Sequence, residues 1–157
     1  DDLNEALESH PTIRTTPFGE YLEIYPEARA VLPRLVAGSW VYGDFTTWMG
    51  DSAKNRAWDL LCLAKAEYDR VLASGVLSAD ELAQAETQLK SCESSDWFWW
   101  FGDYNPGDSV RAFDRLYRVK LQGLYRLLHL PVPKVLDQPL CHGGGEAEGG
   151  GVMRRGS

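Results

Sequence analysis

Five consecutive aromatic residues constrain the fold of this chain more than any other feature of its sequence. The run extends from Trp97 to Phe101 and lies between Asp96 and Asp103. Each of its three indoles carries an N–H group that needs a hydrogen-bond partner when it is buried. So many large rings exceed what a short core segment usually needs. We therefore expect some of the rings to lie in the core and one or two to face solvent.

A second aromatic cluster, from Gly38 to Gly50, precedes this run and repeats its chemistry. Pyranose rings present C–H groups on one face and hydroxyl groups around the rim, so an aromatic ring beside a carboxylate matches both. Glycines in such a loop permit close approach of the backbone to a ligand. We predict a sugar-binding surface, with candidates from both clusters: Trp40, Tyr42, Asp44, Trp48, Trp97, Trp100 and Asp103.

A purely structural role is the alternative for the aromatic run. At helical spacing Trp97 and Trp100 share one face, whereas Phe98 and Trp99 point elsewhere, which is typical of a wedge packed on more than one side. Trp58 lies within a regular helical pattern, so we expect it mostly in the core. The sequence alone leaves the sugar-binding and structural interpretations open.

Apolar spacing predicts a long helix over residues 52–74, with Asp51 or Ser52 as its N-cap and Gly75 at its end. The predicted buried stripe contains Ala57, Leu61, Ala64, Tyr68 and Val71. Ser78 and Glu81 then form a capping-box pattern, which predicts a second helix from residue 79 to about residue 92. Because only a few residues join the two helices, we expect them to be antiparallel neighbours.

A third long helix is predicted from about residue 108 to residue 129, with two prolines beyond its end. Its predicted apolar face contains Phe113, Leu116, Tyr117, Leu121, Leu124 and Leu128, and its arginines, Arg111, Arg115, Arg118 and Arg126, are expected mostly in solvent. Shorter helices are predicted over residues 3–9 and 17–25. Strand signal is weak and confined to residues 39–45.

These patterns predict an all-α fold: a bundle of three long helices plus shorter N-terminal helices, forming one helical domain over residues 1–140. Residues 141–157 are expected to form a flexible tail. Seven of the fifteen glycines lie in this stretch. Such a composition buries too little apolar surface to offset the entropy lost on ordering.

Charge and hydropathy exclude two classes of partner. The formal net charge is −7, which argues against binding to a nucleic acid backbone, because that affinity comes mostly from clustered Lys and Arg. No apolar run approaches the roughly 20 residues that span a bilayer, so we expect no membrane partner. The N-terminus also lacks the pattern of a signal peptide and reads like the middle of a longer chain.

Cofactor and metal sites are also not expected. The three cysteines are widely spaced and form no CxxC pair. This pattern is typical of incidental thiols in a reducing compartment, so we expect a cytoplasmic protein without a disulfide framework. The sequence contains no HExxH motif and no phosphate-binding glycine loop.

Catalytic groups are not evident in the sequence. Hydrolysis of a glycosidic bond needs two carboxyl groups about 5 to 10 Å apart. Asp44, Asp96 and Asp103 are the carboxylates set among aromatic residues, and nothing in their spacing pairs two of them. We therefore predict no catalytic residue in this chain and no turnover by the chain alone.

Two long motifs resemble a known family. The first comprises GSW at 38–40, GDF at 43–45, TWMG at 47–50 and KNRAWDLL at 54–61, and the second is SDWFWWFGD at 95–103. Together with FD at 113–114 and LYR at 116–118, they resemble the late region of family 57 glycoside hydrolases and the helical region after their catalytic barrel. The resemblance covers roughly residues 12–140.

The resemblance implies that the chain is the helical substrate-cleft domain of a larger enzyme acting on α-glucans with retention. In that family a Glu nucleophile and an Asp acid lie on a barrel earlier in the chain, and this sequence has no counterpart of the segments that carry them. The implied partners are an α-glucan or maltooligosaccharide and that barrel. The segment matching 38–50 lies near the family's substrate groove, which makes Trp40, Asp44 and Trp48 the best inherited candidates for substrate contact. The alternative is a free-standing carbohydrate-binding or protein-interaction module.

Overall fold

The computed structural model describes residues 2–145, which contain α-helices and 3-10 helices but no β-strand. The predicted all-α fold is confirmed. The α-helices are α1 (Asp2–Glu8), α2 (Phe18–Ile24), α3 (Ser52–Ser74), α4 (Ala79–Cys92), α5 (Asp96–Trp100) and α6 (Gly107–Leu127). Short 3-10 helices cover Pro26–Ala28 and Lys134–Asp137.

The described residues form two compact units, residues 2–37 and residues 38–145, whereas the sequence predicted one helical domain over 1–140. The first unit holds α1 and α2, and neither helix carries a buried residue in the part that the structure describes. An exposed ion pair of 2.6 Å between Arg14 and Glu20 lies within this unit. The second unit contains α3 to α6 and the core.

Both ends of α3 are formed as the sequence predicted. Of the two candidate N-caps it is Asp51 that accepts hydrogen bonds, from the backbone N–H groups of Ala53 at 2.8 Å and Lys54 at 3.4 Å. Gly75 ends the helix with a φ of 66°, a left-handed conformation that glycine adopts at little cost. All five residues of the predicted stripe are buried.

The capping box at the start of α4 is also confirmed. Ser78 Oγ accepts a hydrogen bond of 3.3 Å from the backbone N–H of Glu81, and the Glu81 carboxylate accepts one of 2.9 Å from the backbone N–H of Ser78. The two residues thereby satisfy donors that a helix N-terminus leaves free.

Ser78→Ala is expected to lower the free energy of unfolding by about 0.5 to 2 kcal/mol, because it removes this N-cap. Glu81→Ala should cost less, and urea unfolding of both variants beside the parent protein measures the difference. A greater loss for Glu81→Ala than for Ser78→Ala would contradict the importance assigned to the serine cap.

Helix α6 packs on α3, α4 and α5 and contributes five buried apolar residues to the core. Tyr117 is fully buried on it and donates a hydrogen bond of 2.7 Å to the carbonyl oxygen of Ala57 in α3. The buried face of α6 differs from the predicted apolar face at two positions. Leu116 was predicted on that face but is half exposed, and Val110 was not predicted there but is buried. The helix therefore presents a slightly rotated face to the core.

One arginine of α6 that was expected in solvent is largely buried. The side chain of Arg118 is 14% exposed and forms an ion pair of 2.9 Å with Asp114, which is buried. Asp114 also accepts a hydrogen bond of 2.7 Å from the backbone N–H of Leu140. The pair thus joins α6 to the segment after the last 3-10 helix, a role that helical periodicity does not reveal.

The weak strand signal over residues 39–45 corresponds to turns. Ser39 Oγ accepts a hydrogen bond of 3.2 Å from the backbone N–H of Val41 and donates to the carbonyl oxygens of Val41 and Asp44. Such local bonds compete with the ladder of a strand. A Cβ atom on residue 38 would lie 2.4 Å from the Gly43 carbonyl oxygen, so this closed loop requires glycine there.

The predicted tail is structured over its first five residues. Cys141 is buried, and the backbone N–H groups of Gly144 and Gly145 donate to the carbonyl oxygen of Asn105 at 3.3 and 3.1 Å. The rest of the predicted tail, residues 146–157, lies outside the described residues.

Candidate functional site

The two aromatic clusters meet in one surface groove of the second unit, which we call the tryptophan groove. Its volume is about 300 Å³, and it is lined by Trp40, Trp48, Ser95, Asp96, Trp99 and Trp100. The loop before α3 supplies the first two tryptophans, and the start and body of α5 supply the other residues. The sequence offered site candidates in both clusters, and the structure brings residues of the two clusters together.

Trp99 of the second cluster contacts both groove tryptophans of the first cluster. Its ring stacks on Trp40, with centroids 5.9 Å apart and planes 10° apart, and it lies 6.0 Å from Trp48 at a tilt of 51°. Trp40 is 77% exposed, so its outer face is open to a ligand. The sequence alone did not predict Trp99 as a site residue. The sequence did contain a signal for its exposure, because at helical spacing the side chain of Trp99 points away from the face that Trp97 and Trp100 share.

Trp100 and Asp96 complete the groove. Trp100 stacks on Phe113 of α6, with centroids 5.0 Å apart, which fixes its ring against the core. Asp96 is exposed at the N-terminus of α5, and its carboxylate accepts a hydrogen bond of 3.2 Å from Ser94 Oγ. The groove therefore offers fixed aromatic faces beside a carboxylate that can accept further hydrogen bonds.

Trp97 lies in the core. It is 9% exposed, packs against Phe113 and Tyr117, and donates from Nε1 to the carbonyl oxygen of Ser91 at 3.0 Å. Its indole N–H is thus satisfied within the protein, and little of its ring remains for a ligand. Of the two tryptophans predicted from the second cluster, the structure places Trp100 at the groove and Trp97 beneath it.

Three other predicted residues do not line the groove. Tyr42 is half exposed and has a φ of 55°, a left-handed conformation in the turn. Asp44 is half-buried, and its Oδ1 accepts hydrogen bonds from the backbone N–H of Thr46 at 3.0 Å and from Thr46 Oγ1 at 2.7 Å. These bonds make Asp44 a turn-forming residue. Asp103 is exposed after α5 and lies outside the groove.

Side chains from the first turns of α3 hold the loop that carries Trp48. Lys54 Nζ donates to the carbonyl oxygen of Thr47, and Trp58 Nε1 donates to that of Trp48 at 2.8 Å. Asn55 makes two bonds to Gly50, accepting from its N–H at 2.8 Å and donating to its carbonyl oxygen at 3.3 Å. The KNRAW motif therefore fixes the main chain around one groove tryptophan.

Lys54 has an unusual environment for a lysine because it is fully buried. Its ammonium lies 5.2 Å from the centroid of the Tyr104 ring. Burial lowers the pKa of Lys54 to about 8, although the charge of Asp51 partly opposes that shift. Lys54 was not among the residues predicted to be buried. Its position one turn before Ala57, on the buried stripe of α3, was the signal for its burial.

The groove presents several aromatic faces beside a single carboxylate. Among the described residues that line it, Asp96 is the one carboxylate, whereas glycoside hydrolysis needs two carboxyl groups. Within residues 2–145, no cluster of three His, Cys, Asp or Glu side chains could hold a metal ion. The described helices also include none that is both long and apolar enough to cross a membrane.

Fold and site together define an all-α chain with an aromatic surface groove. Comparisons with models of protein families, with curated proteins and with solved structures found no match to this chain.

Proposed function

We propose that the tryptophan groove binds an α-glucan or maltooligosaccharide. The observation that carries this proposal is the convergence of Trp40, Trp48, Trp99 and Trp100 around a single exposed carboxylate, Asp96. The aromatic faces match the C–H faces of pyranose rings, and the carboxylate accepts hydrogen bonds from their hydroxyl groups. A volume of about 300 Å³ is at the small end of ligand sites, which suits one or two rings of a longer sugar chain.

The exposure of Trp40 favours ligand binding over a structural role. An indole that served packing alone would bury most of its surface, as Trp97 does, but Trp40 leaves 77% of its surface in solvent. Its stacking on Trp99 holds the ring in place. A ring fixed in advance loses little conformational entropy when a ligand binds, so more of the contact energy contributes to affinity.

We further propose that the chain is the helical substrate-cleft domain of a larger, cytoplasmic, family 57-like glycoside hydrolase. The resemblance of its two motifs to that family supports this proposal, and residues of both motifs line the tryptophan groove. In this arrangement the partner barrel supplies the catalytic Glu and Asp. This chain supplies one wall of the cleft and is not catalytic by itself.

Maltoheptaose is expected to bind the parent protein with millimolar affinity, because a few rings and hydrogen bonds leave little surplus after the entropic cost of association. The measurement is a titration followed by 19F NMR of protein labelled with 5-fluorotryptophan, with each signal assigned by a Trp→Phe variant. We expect the signals of Trp40, Trp48, Trp99 and Trp100 to shift. Trp40→Ala and Trp48→Ala should each weaken binding about tenfold, which corresponds to about 1.4 kcal/mol.

Two controls distinguish a specific sugar site from nonspecific binding. Leu116→Ala removes an exposed apolar side chain of α6 that does not line the groove, and it should leave the affinity unchanged. Cellohexaose, with β-1,4 links, tests whether the groove prefers an α-glucan. If the signals of Trp40 and Trp48 stay in place at high maltoheptaose concentration, the proposed function is wrong.

A further inference from the structure

A buried lysine, Lys54, contacts the loop that carries Trp48. Thr47 precedes Trp48 and is buried, yet its hydroxyl has no hydrogen-bond partner among the described residues. The side chain of Thr47 therefore does not explain how this residue is held. The observed polar contact is made by its main chain, through the carbonyl oxygen that accepts from Lys54 Nζ.

The three α3 side chains that hold this loop differ in their environment. Asn55 is exposed and Trp58 is half-buried, whereas Lys54 is fully buried. A hydrogen bond from a charged donor is roughly twice as strong as one between neutral groups, and a low-dielectric surrounding strengthens it further. Of the three contacts, the one from Lys54 is therefore the most sensitive to loss of a proton.

We propose that Lys54 is a positioning residue of the tryptophan groove, whose buried ammonium holds the Thr47 carbonyl and thereby sets the position of the Trp48 ring. This inference rests on the proposed function where it concerns sugar affinity. The placement of Trp48 itself can be measured without any sugar.

The groups that face Lys54 come from three segments of the second unit. Asp51 precedes α3, Tyr104 precedes α6, and Cys141 follows the last 3-10 helix. Burial raises the pKa of Tyr104 and that of Cys141 to about 12 each. Between pH 7 and pH 9.5 both therefore stay protonated, and Lys54 is the member of this group that titrates.

Deprotonation of Lys54 should affect affinity and stability in opposite directions. As the pH rises through about 8, the neutral amine holds the Thr47 carbonyl more weakly, so sugar affinity should fall. The unfolded chain keeps the lysine proton up to its ordinary pKa of about 10.4. Between these two values the unfolded state binds more protons, so the contribution of Lys54 to stability rises with pH.

The first experiment follows the 19F signal of Trp48 in the ligand-free protein from pH 7 to pH 9.5. We expect a shift with a midpoint near pH 8 that is absent in Lys54→Met, which keeps much of the side-chain volume but removes the donor. Lys65→Met is the matched control, because Lys65 lies on the same helix and is ion-paired to Asp69 at the surface. A Trp48 signal that is independent of pH in the parent protein would overturn the proposal, even if Lys54→Met does not fold.

The second experiment measures affinity for maltoheptaose and stability to urea over the same pH range. The parent protein should lose about threefold to tenfold in affinity between pH 7 and pH 9.5, while Lys54→Met should bind about tenfold more weakly at pH 7 and show no such change. The stability of the parent relative to Lys54→Met should meanwhile rise. If Lys54 served stability alone, sugar affinity and stability would change in the same direction as the pH rises. That outcome would refute the positioning role of Lys54.

The two proposals fail in different ways. If the parent protein does not bind maltoheptaose at any pH but its Trp48 signal titrates near pH 8, the proposed function fails and Lys54 keeps its positioning role. If the sugar binds equally well in Lys54→Met, with an unchanged Trp48 signal, the positioning role fails and the proposed function survives.

Discussion

Phe98→Ala is expected to lower the free energy of unfolding by about 3 to 5 kcal/mol, the range for removing a buried phenylalanine. Phe98 has no exposed surface. Its ring stacks on Trp58 with centroids 3.8 Å apart and planes 4° apart, and it meets Phe101 and Tyr117 edge to face. The substitution therefore removes apolar burial, favourable ring geometry and the filling of the space between α3, α5 and α6.

Urea unfolding followed by circular dichroism measures this loss, and Phe45→Ala is the matched control. Phe45 belongs to the same unit but is exposed, so its truncation should cost less than about 1 kcal/mol. Equal losses for the two variants would show that Phe98 does not hold the core as the structure describes.

The same substitution should also disturb the tryptophan groove. Trp58, which stacks on Phe98, donates its indole N–H to the carbonyl oxygen of Trp48. Loss of the phenylalanine ring frees Trp58 to change its orientation, which weakens one of the contacts that hold the loop. We expect the 19F signal of Trp48 to shift in Phe98→Ala under conditions in which the variant is still folded.

Arg118→Met is expected to destabilise the protein by about 3 to 5 kcal/mol, because it leaves the Asp114 charge buried without its ionic partner. The arginine also donates from Nη1 to the carbonyl oxygen of Leu136 at 3.1 Å, so the variant also loses a contact with the last 3-10 helix. Chemical denaturation at neutral pH provides the measurement. Arg115→Met, an exposed position on the same helix, should change stability by no more than about 0.5 kcal/mol.

A double variant separates the cost of the unpaired charge from the loss of packing. Asp114→Asn combined with Arg118→Met removes the buried charge but keeps an oxygen that can accept from the Leu140 N–H. We expect it to be more stable than Arg118→Met alone by at least about 1 kcal/mol. If the double variant is the less stable of the two, the unpaired carboxylate is not the source of the loss.

Local sequence determined where the helices begin and end. Asp51 and Gly75 bound α3, and Ser78 with Glu81 starts α4, because a cap acts on backbone groups within a few residues of itself. The period of apolar residues likewise predicted the buried face of α3. Such signals involve neighbours in the chain, so they can be read before the tertiary structure is known.

The tertiary structure decided which aromatic rings face solvent. Trp97 and Trp99 are two residues apart in one short helix and are both large indoles, so neither composition nor propensity separates them. Packing against Phe113 and Tyr117 of α6 buries Trp97, while the loop before α3 brings Trp40 and Trp48 to Trp99. The sequence predicted that some of these rings would be exposed, but its candidates included Trp97, which is buried, and omitted Trp99, which lines the groove.

The tertiary structure also decided which charged side chains are buried. The sequence showed Lys54 and Arg118 as ordinary basic residues of two amphipathic helices, and neither was expected inside the protein. Burial of such a group depends on what covers it, and for Lys54 the nearby groups include Tyr104 and Cys141, which are distant in sequence. Local sequence therefore determined the helices and supplied the rings, whereas long-range packing decided which rings form the groove and which charges lie beneath it, because burial is set by neighbours that the chain brings together only when it folds.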